Sequence, residues 1–292
     1  MQDIALIIST TLMYSTPLIF AALGGVFSEN SGIVNIGIEG MMTIGAFAGA
    51  AAGYMLGNPW LAFIIGGLAG GLFALVHALA TVTFNADHTI SGVAINLLAP
   101  GVALFASKIM FDGATMTPTI PMEQKIPRPL NGLFPSGSIL DTIFNAYATV
   151  FIAFILVAVT WYVLYKTKFG LRIRAVGEHP GAADTLGISV AKTRYAAVII
   201  SGILAGLGGA SMSLAVVSSF RPTLISGHGY IAMAAVIFGK WRPQWAMAAC
   251  LLFGFSTALS VYFGNPELPF SINENLLSMI PYILSLIHIS EP

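Results

Sequence analysis

KTKFGLRIRAVGEHPGAADTLGISVAKTR, residues 166–194, is the longest water-compatible segment of a chain that is otherwise mostly apolar. Six of the twelve Lys and Arg residues lie in it: Lys166, Lys168, Arg172, Arg174, Lys192 and Arg194. Apolar runs long enough to cross a bilayer flank it, so it reads as a connection between two spans. Within it, Pro180 suits a first helical position and Gly187 a left-handed residue just past a helix end. Residues 180–186 are therefore expected to form a very short helix, which a cytoplasmic loop presents to a partner.

Composition sets the class. A soluble domain carries about 25% charged residues, whereas this chain of 292 residues carries 8%, is 57% hydrophobic and has a mean hydropathy of +0.86. Too little polar surface exists to cover a globule in water. The expected fold is all-α: one polytopic membrane domain over residues 1–292, with about 8–10 transmembrane helices, some broken or re-entrant. Net charge is zero, which gives nucleic acid no footprint. Cys250 is the single cysteine and sits in an apolar run, so it reads as a small core residue. The start, MQDIALIIST, lacks the basic region of a signal peptide, and its apolar run reads as retained. Most of the 31 glycines fall inside apolar runs, where they let helices pack closely.

In chain order, spans are expected near residues 4–27, kinked at Pro17, and 36–56, where Gly45, Gly49, Gly53 and Gly57 form a smooth stripe. Further spans are expected at 60–84, with pairs Gly66/Gly70 and Gly67/Gly71, and at 90–111, broken at Pro100-Gly101. His77 lacks partners at metal spacing and reads as a hydrogen-bonded packing residue. Residues 112–145 contain five prolines and read as an external loop with a short surface helix near its end. Spans follow at 146–165, 195–219 (with Gly202/Gly206) and 244–263. Residues 230–239 are too apolar for a loop and too short for a span, and read as the inner half of a broken helix. Residues 265–273 read as an outer loop and 274–289 as a short last run. LSLIHISEP, residues 284–292, resembles a translated sequencing-adapter tail, so the native last helix and basic tail are expected to be missing there. Placing 166–194 in the cytoplasm puts eight basic residues inside and Lys108, Lys125, Arg128 and Arg221 outside, as the positive-inside rule requires if 222–239 crosses.

Little chemistry is visible. Gly239-Lys240 is no phosphate-binding loop, because Trp241 stands where Ser or Thr is needed and Ala234 where the first Gly is needed. Neither a metal set nor a nucleophile with its base appears, so the chain reads as a non-enzyme without cofactor or metal. Ionisable and amide groups in apolar runs remain as candidates for a translocation path: Asn35, Glu39 and Asn96. Glu39 and Asn35 stand near the start of the second span and read foremost as caps of that helix. Asn96 lies deeper and is the better candidate for lining a polar path. In the 180–186 helix, Ala182, Ala183 and Leu186 share a face small enough for a partner's groove, and Glu178 and Asp184 suit the helix dipole.

GEHPGAADTLGIS resembles the cytoplasmic coupling segment of ABC-importer permeases, with Ala182-Ala183-x-x-x-Gly187 matching its alanine–alanine–three–glycine core. Gly181 stands where many importers have Glu, and the usual Ile-x-Leu-Pro continuation is absent, which places the match in a divergent branch. That branch is the branched-chain amino acid, ribose and nucleoside permease family. SGIVNIGIEGMMTIGAFAGA (31–50), NADHTISGVAINLLAPG (85–101) and GYIAMAAVIFGKWRP (229–243) resemble it too, most of all its simple-nucleoside, guanosine-type members. The resemblance implies a multi-pass permease of a bacterial or archaeal cytoplasmic membrane that imports nucleosides. It implies coupling to a separate cytoplasmic ATPase through Glu178, His179, Pro180, Ala182, Ala183, Leu186 and Gly187. A second related permease and an extracytoplasmic substrate-binding protein complete the implied partners. The alternatives are a branched-chain amino acid or sugar ABC permease and, in another class, an ion-coupled secondary transporter. The scarcity of membrane-embedded acids argues against the last.

Overall fold

In the computed structural model, residues 2–135, 137–264 and 279 are described, and every regular element among them is helical. The expected loop at 265–273, most of the run at 274–289 and the 284–292 tail lie outside the described residues. Eleven α-helices are described: α1 (Gln2–Asn30), α2 (Ile38–Leu56), α3 (Pro59–Ala78), α4 (His88–Met110), α5 (Ile139–Phe144), α6 (Ala148–Lys166), α7 (Lys168–Glu178), α8 (Pro180–Thr185), α9 (Val190–Ser211), α10 (His228–Phe238) and α11 (Pro243–Phe263). α3 and α9 each continue into a π-helical turn, Leu79–Thr83 and Met212–Val216. Six helices among the described residues are long and apolar enough to cross a membrane: α1, α3, α4, α6, α9 and α11. The chain is thus an all-α, multi-pass membrane protein.

Four helices, α1, α2, α3 and α9, form the frame, and glycine is the reason: a Cβ on Gly24 of α1 would lie 2.5 Å from the Ser201 carbonyl oxygen of α9. A Cβ on Gly45 of α2 would lie 2.4 Å from the Gly206 carbonyl oxygen of α9, and one on Gly70 of α3 would lie 2.3 Å from that of Gly202. One on Gly66 would lie 2.7 Å from the Gly45 oxygen, so α2, α3 and α9 meet backbone to backbone. In lipid no hydrophobic effect draws helices together, so this close contact supplies the attraction. The expected stripes therefore pack as read, with one correction. Gly57 lies past the stripe: it adopts φ +65° and caps α2 with its N–H on the Gly53 carbonyl.

Two further expectations change. α4 runs unbroken from His88 to Met110 with Pro100 inside it. The proline removes one backbone bond, which a long apolar helix tolerates without ending. Residues 166–194 hold two helices rather than one. Gly170, Ile173 and Val176 recur every third residue on the buried face of α7, and the Thr167 hydroxyl accepts from the Gly170 N–H at 3.2 Å to cap it. Along the 112–145 segment, Ile120 and Ile126 are buried and α5 forms near its end, as expected. The Ile120 N–H donates to the Ser218 carbonyl at 2.8 Å and the Phe220 N–H to the Thr117 hydroxyl at 2.9 Å, which fastens the segment to the end of the bundle.

The glycine frame makes a direct prediction. Gly70→Val forces backbone apart and should abolish recovery of folded protein in detergent. Gly101→Ala meets nothing within 4 Å and should leave the melting temperature equal or higher, because Ala favours helix by up to about 1 kcal/mol. Equal thermal stability of the two variants would contradict the packing.

Candidate functional site

α1 ends at Asn30 and α2 begins only at Ile38; in the chain between them Ser31, Ile33, Asn35 and Gly37 are buried while Gly32 and Val34 are exposed. Asn35 meets Ser201, eleven residues into α9, and Gly40 meets Asn96, eight residues into α4. At 1.5 Å per residue these points lie roughly 12–16 Å along those helices. Irregular backbone at such depth must find its hydrogen bonds within the protein. The Ser28 hydroxyl donates to the Ile33 carbonyl at 2.7 Å, and the Arg194 guanidinium donates to the Ser31 carbonyl at 3.3 Å. His88 Nδ1 accepts from the Val34 N–H at 3.4 Å. His77 is fully buried and bonded through Nδ1 to the Ser91 hydroxyl at 2.9 Å, the packing role expected of it.

Asn96 closes this segment. Its Oδ1 accepts from the Gly40 N–H at 2.8 Å, and its Nδ2 donates to the Ile36 carbonyl at 2.9 Å and to the Tyr230 hydroxyl at 3.0 Å. Asn96 is therefore the side chain that caps α2, from a neighbouring helix. Asn35 and Glu39 do not, which corrects the expectation that they cap their own helix. Gly37 holds the capping position with no side-chain bond. Asn35 instead turns towards α9, its Nδ2 donating to the Ser201 hydroxyl at 2.9 Å while its Oδ1 stays buried without a partner.

Glu39 crosses to α10. Its Oε1 accepts from the Gly227 N–H at 2.6 Å and its Oε2 from the Gly229 N–H at 2.7 Å. A carboxylate thus faces the positive end of a half-length helix and satisfies two of its free N–H groups. Both glycines are required. Gly227 has φ +95°, and a Cβ on Gly229 would lie 2.5 Å from the Glu39 Cα. The short apolar run read as the inner half of a broken helix is α10, with irregular chain leading into it.

The three residues singled out along the path thus gather around the start of α2, and they bring Tyr230 with them. Tyr230 is 49% exposed, while Glu39, Asn96 and His228 are half-buried. Polar groups are costly against lipid, which makes this face a candidate for the wall of a water-filled path or a contact with another protein. Tyr230, Gly227 and Gly229 were not singled out from sequence. The only signal was the Gly-x-Gly spacing in ISGHGYIA, residues 225–232, ahead of a run too short to span. Among the described residues, no three His, Cys, Asp or Glu side chains are grouped to hold a metal.

The second cluster is the 166–194 connection. Pro180 opens α8, His179 Nδ1 accepts from the Ala182 N–H at 3.4 Å, and Gly187 at φ +75° ends the helix with its N–H on the Asp184 carbonyl at 2.8 Å. The face shared by Ala182, Ala183 and Leu186 divides. Ala183 is only 3% exposed and Leu186 is 80% exposed, with Ala182, Glu178 and His179 also exposed. Ala183 therefore packs inward and is not part of the presented surface. Behind α8, a Cβ on Gly177 of α7 would lie 2.2 Å from the Asn30 carbonyl oxygen, which seats α7 against the end of α1.

Comparison with known proteins adds the family. Residues 7–288 match the branched-chain amino acid transport system permease component. The chain is 45% identical over 295 residues to the guanosine ABC transporter permease protein NupQ of Bacillus subtilis, covering 98% of this chain and 91% of that one. It is 42% identical to the nucleoside ABC transporter permease protein NupC of Lactococcus lactis, covering 98% and 92%. It is 36% identical to the putative glucose ABC transporter permease protein TsgC13 of Haloferax volcanii, covering 94% and 82%.

Asn96→Ala strips the Gly40 N–H and the Ile36 carbonyl of their partner, at about 1–3 kcal/mol for each buried group. Its melting temperature in detergent should fall well below that of Tyr230→Phe, which removes a single hydroxyl. Matching melting curves would show that Asn96 does not cap α2.

Proposed function

From the premise that the chain belongs to the branched-chain amino acid transport permease family, we propose that it is the nucleoside-translocating permease subunit of an ABC importer. The observation that carries the substrate class is identity of 45% and 42% across nearly the whole chain to two permeases named for guanosine and nucleosides. The glucose permease stands lower, at 36%. The Tyr230 face suits such a cargo. An aromatic ring stacks on a nucleobase, a contact worth about 1–3 kcal/mol, and the Asn96 amide and Tyr230 hydroxyl are of the kind that bind sugar hydroxyls.

Energy comes from outside the chain in this reading, since no phosphate-binding loop is present in the sequence. The cytoplasmic ATPase subunits dock on α8, whose exposed Ala182, Leu186, Glu178 and His179 form a small knob on a seated helix pair. Pro180 and Gly187 fix its two ends, and Ala183 anchors it from behind. With α8 in the cytoplasm, the 112–145 segment lies at the outer end, where a substrate-binding protein delivers the nucleoside. A second related permease covers the half-open Tyr230 face, so that the path runs between two subunits.

Two measurements test this. Deleting the gene from its host should abolish most uptake of radiolabelled guanosine and adenosine, and excess unlabelled glucose should not compete. Unchanged nucleoside uptake would overturn the substrate class. Leu186→Arg should cut uptake at least about tenfold, as expected for a contact at the centre of a docking surface, with the amount of membrane-inserted permease unchanged. Ala183→Arg should instead lower the amount of folded permease. Normal uptake in Leu186→Arg would remove α8 as the docking point.

A further inference from the structure

α10 is held unlike any other helix described. It has eleven residues, about half of what a bilayer crossing needs. Non-glycine residues in the left-handed region, which L side chains disfavour, bracket it on both sides. Ser218 (φ +70°) and Ser226 (φ +28°) precede it, and Lys240 (φ +48°) and Trp241 (φ +57°) follow. Among the other described non-glycine residues, only Asn85 and Asp112 share that conformation.

Its neighbours at the two ends differ in kind. At the N-terminus the contact is Glu39, which belongs to the fixed frame: Asn96 of α4 holds the adjoining turn, and α2 is packed backbone to backbone on α9. At the C-terminus the contact is the end of α1. The Trp241 indole N–H donates to the Glu29 carboxylate, and Asn30 Nδ2 donates to the Trp241 carbonyl at 3.3 Å. The Asn30 carbonyl in turn lies under Gly177 of α7. A contiguous chain of contacts therefore runs from α7, through Asn30, to Trp241 and α10. Along its length α10 meets small residues, with Val236 against Gly25 of α1 and Gly239 against Ala246 of α11, and one large contact, the Phe238 ring tilted on Phe253 of α11 with centroids 5.7 Å apart. Such faces let a helix shift while staying packed.

We propose that α10 is the moving gate of the translocation path, that Glu39 is the positioning residue that latches it, and that Trp241 passes displacement of α7 and α8 to it. This rests on α8 as the docking point of the ATPase. When α8 is pushed, Trp241 shifts with Asn30, α10 turns on its bracketing hinges, and the Gly227 and Gly229 N–H groups leave the Glu39 carboxylate. Tyr230, the first apolar residue of α10, moves with them and changes its distance from Asn96.

The test uses the assembled transporter in nanodiscs, with its ATPase and partner permease. The native Cys250 is fully buried, so Ser226→Cys, at an exposed position, reports on the mouth of α10 through its reaction rate with a water-soluble methanethiosulfonate. The expected result is a several-fold change in that rate between nucleotide-free and ATP–vanadate-trapped complexes. Adding Glu39→Gln should bring the nucleotide-free rate to the trapped value. Adding Trp241→Phe should shrink the difference between the two states while ATP hydrolysis continues. Trp241→Phe leaves the latch intact and reads the link even where Glu39→Gln lowers the yield of folded complex. Equal rates in the two nucleotide states, or a difference untouched by Trp241→Phe, would overturn the gate. A rate that follows ATP in a transporter that moves neither radiolabelled guanosine nor adenosine would leave the gate standing and refute the substrate class instead.

Discussion

Unpaired backbone in the interior of a bilayer protein is the constraint on which this structure turns. Between Asn30 and Ile38 the chain gives up its helix, and its buried part needs partners within the protein for the missing bonds. The Ser31, Gly32 and Ile33 N–H groups fall back on carbonyls of the last turn of α1, and four further groups are met by side chains: Arg194 from α9, His88 and Asn96 from α4, Ser28 from α1. The break is thus a place where several helices are tied through one strand of irregular backbone. Because the ties are specific, α2 begins at a fixed point, and Glu39 is delivered to the end of α10 rather than left in its own first turn.

Glycine supplies the complementary property. Where α2, α3 and α9 meet, glycine faces glycine, and backbone carbonyls fill the space that side chains would take. α1 joins them, since a Cβ on Gly24 would lie 2.5 Å from the Ser201 carbonyl oxygen of α9; contacts this close have no slack, and the four helices behave as one body. α10 lies outside that body. Its contacts are a carboxylate on two N–H groups at one end, a tryptophan at the other, and between them small side chains and the Phe238–Phe253 ring pair. The molecule therefore holds a stiff part and a lightly held part, and the polar face with Tyr230 and Asn96 lies where they join.

Much of this was legible in the sequence and some could not be. Apolar runs gave six spans among the described residues, α2 of the expected 36–56 span not being one of them; four-residue glycine spacing gave the packed faces, and Pro180 with Gly187 gave the ends of α8, because each of these signals is local. Glu39 stood out as an acid in an apolar run, but its partners lie 188 and 190 residues away, and no local pattern points to them. Tyr230 was hidden because an aromatic residue in an apolar run reads as core. α7 was missed because its charge reads as loop, although Gly170, Ile173 and Val176 already carried a helical repeat. Pro100 misled in the opposite direction, since a proline that ends a short soluble helix is absorbed by a long one in lipid.

The choice of a carboxylate at position 39 follows from what a latch must do. An apolar contact weakens gradually as two surfaces separate, so it holds a helix without defining where it belongs. Two charge-assisted bonds to N–H groups of one helix end require both distance and direction. They are lost together once the helix turns. A neutral amide offers one acceptor in place of two and lacks the charge that the helix end favours. Held this way, α10 has one well-defined seat and a sharp departure from it. That is the behaviour needed to convert a push at α8 into two distinct arrangements of one polar face.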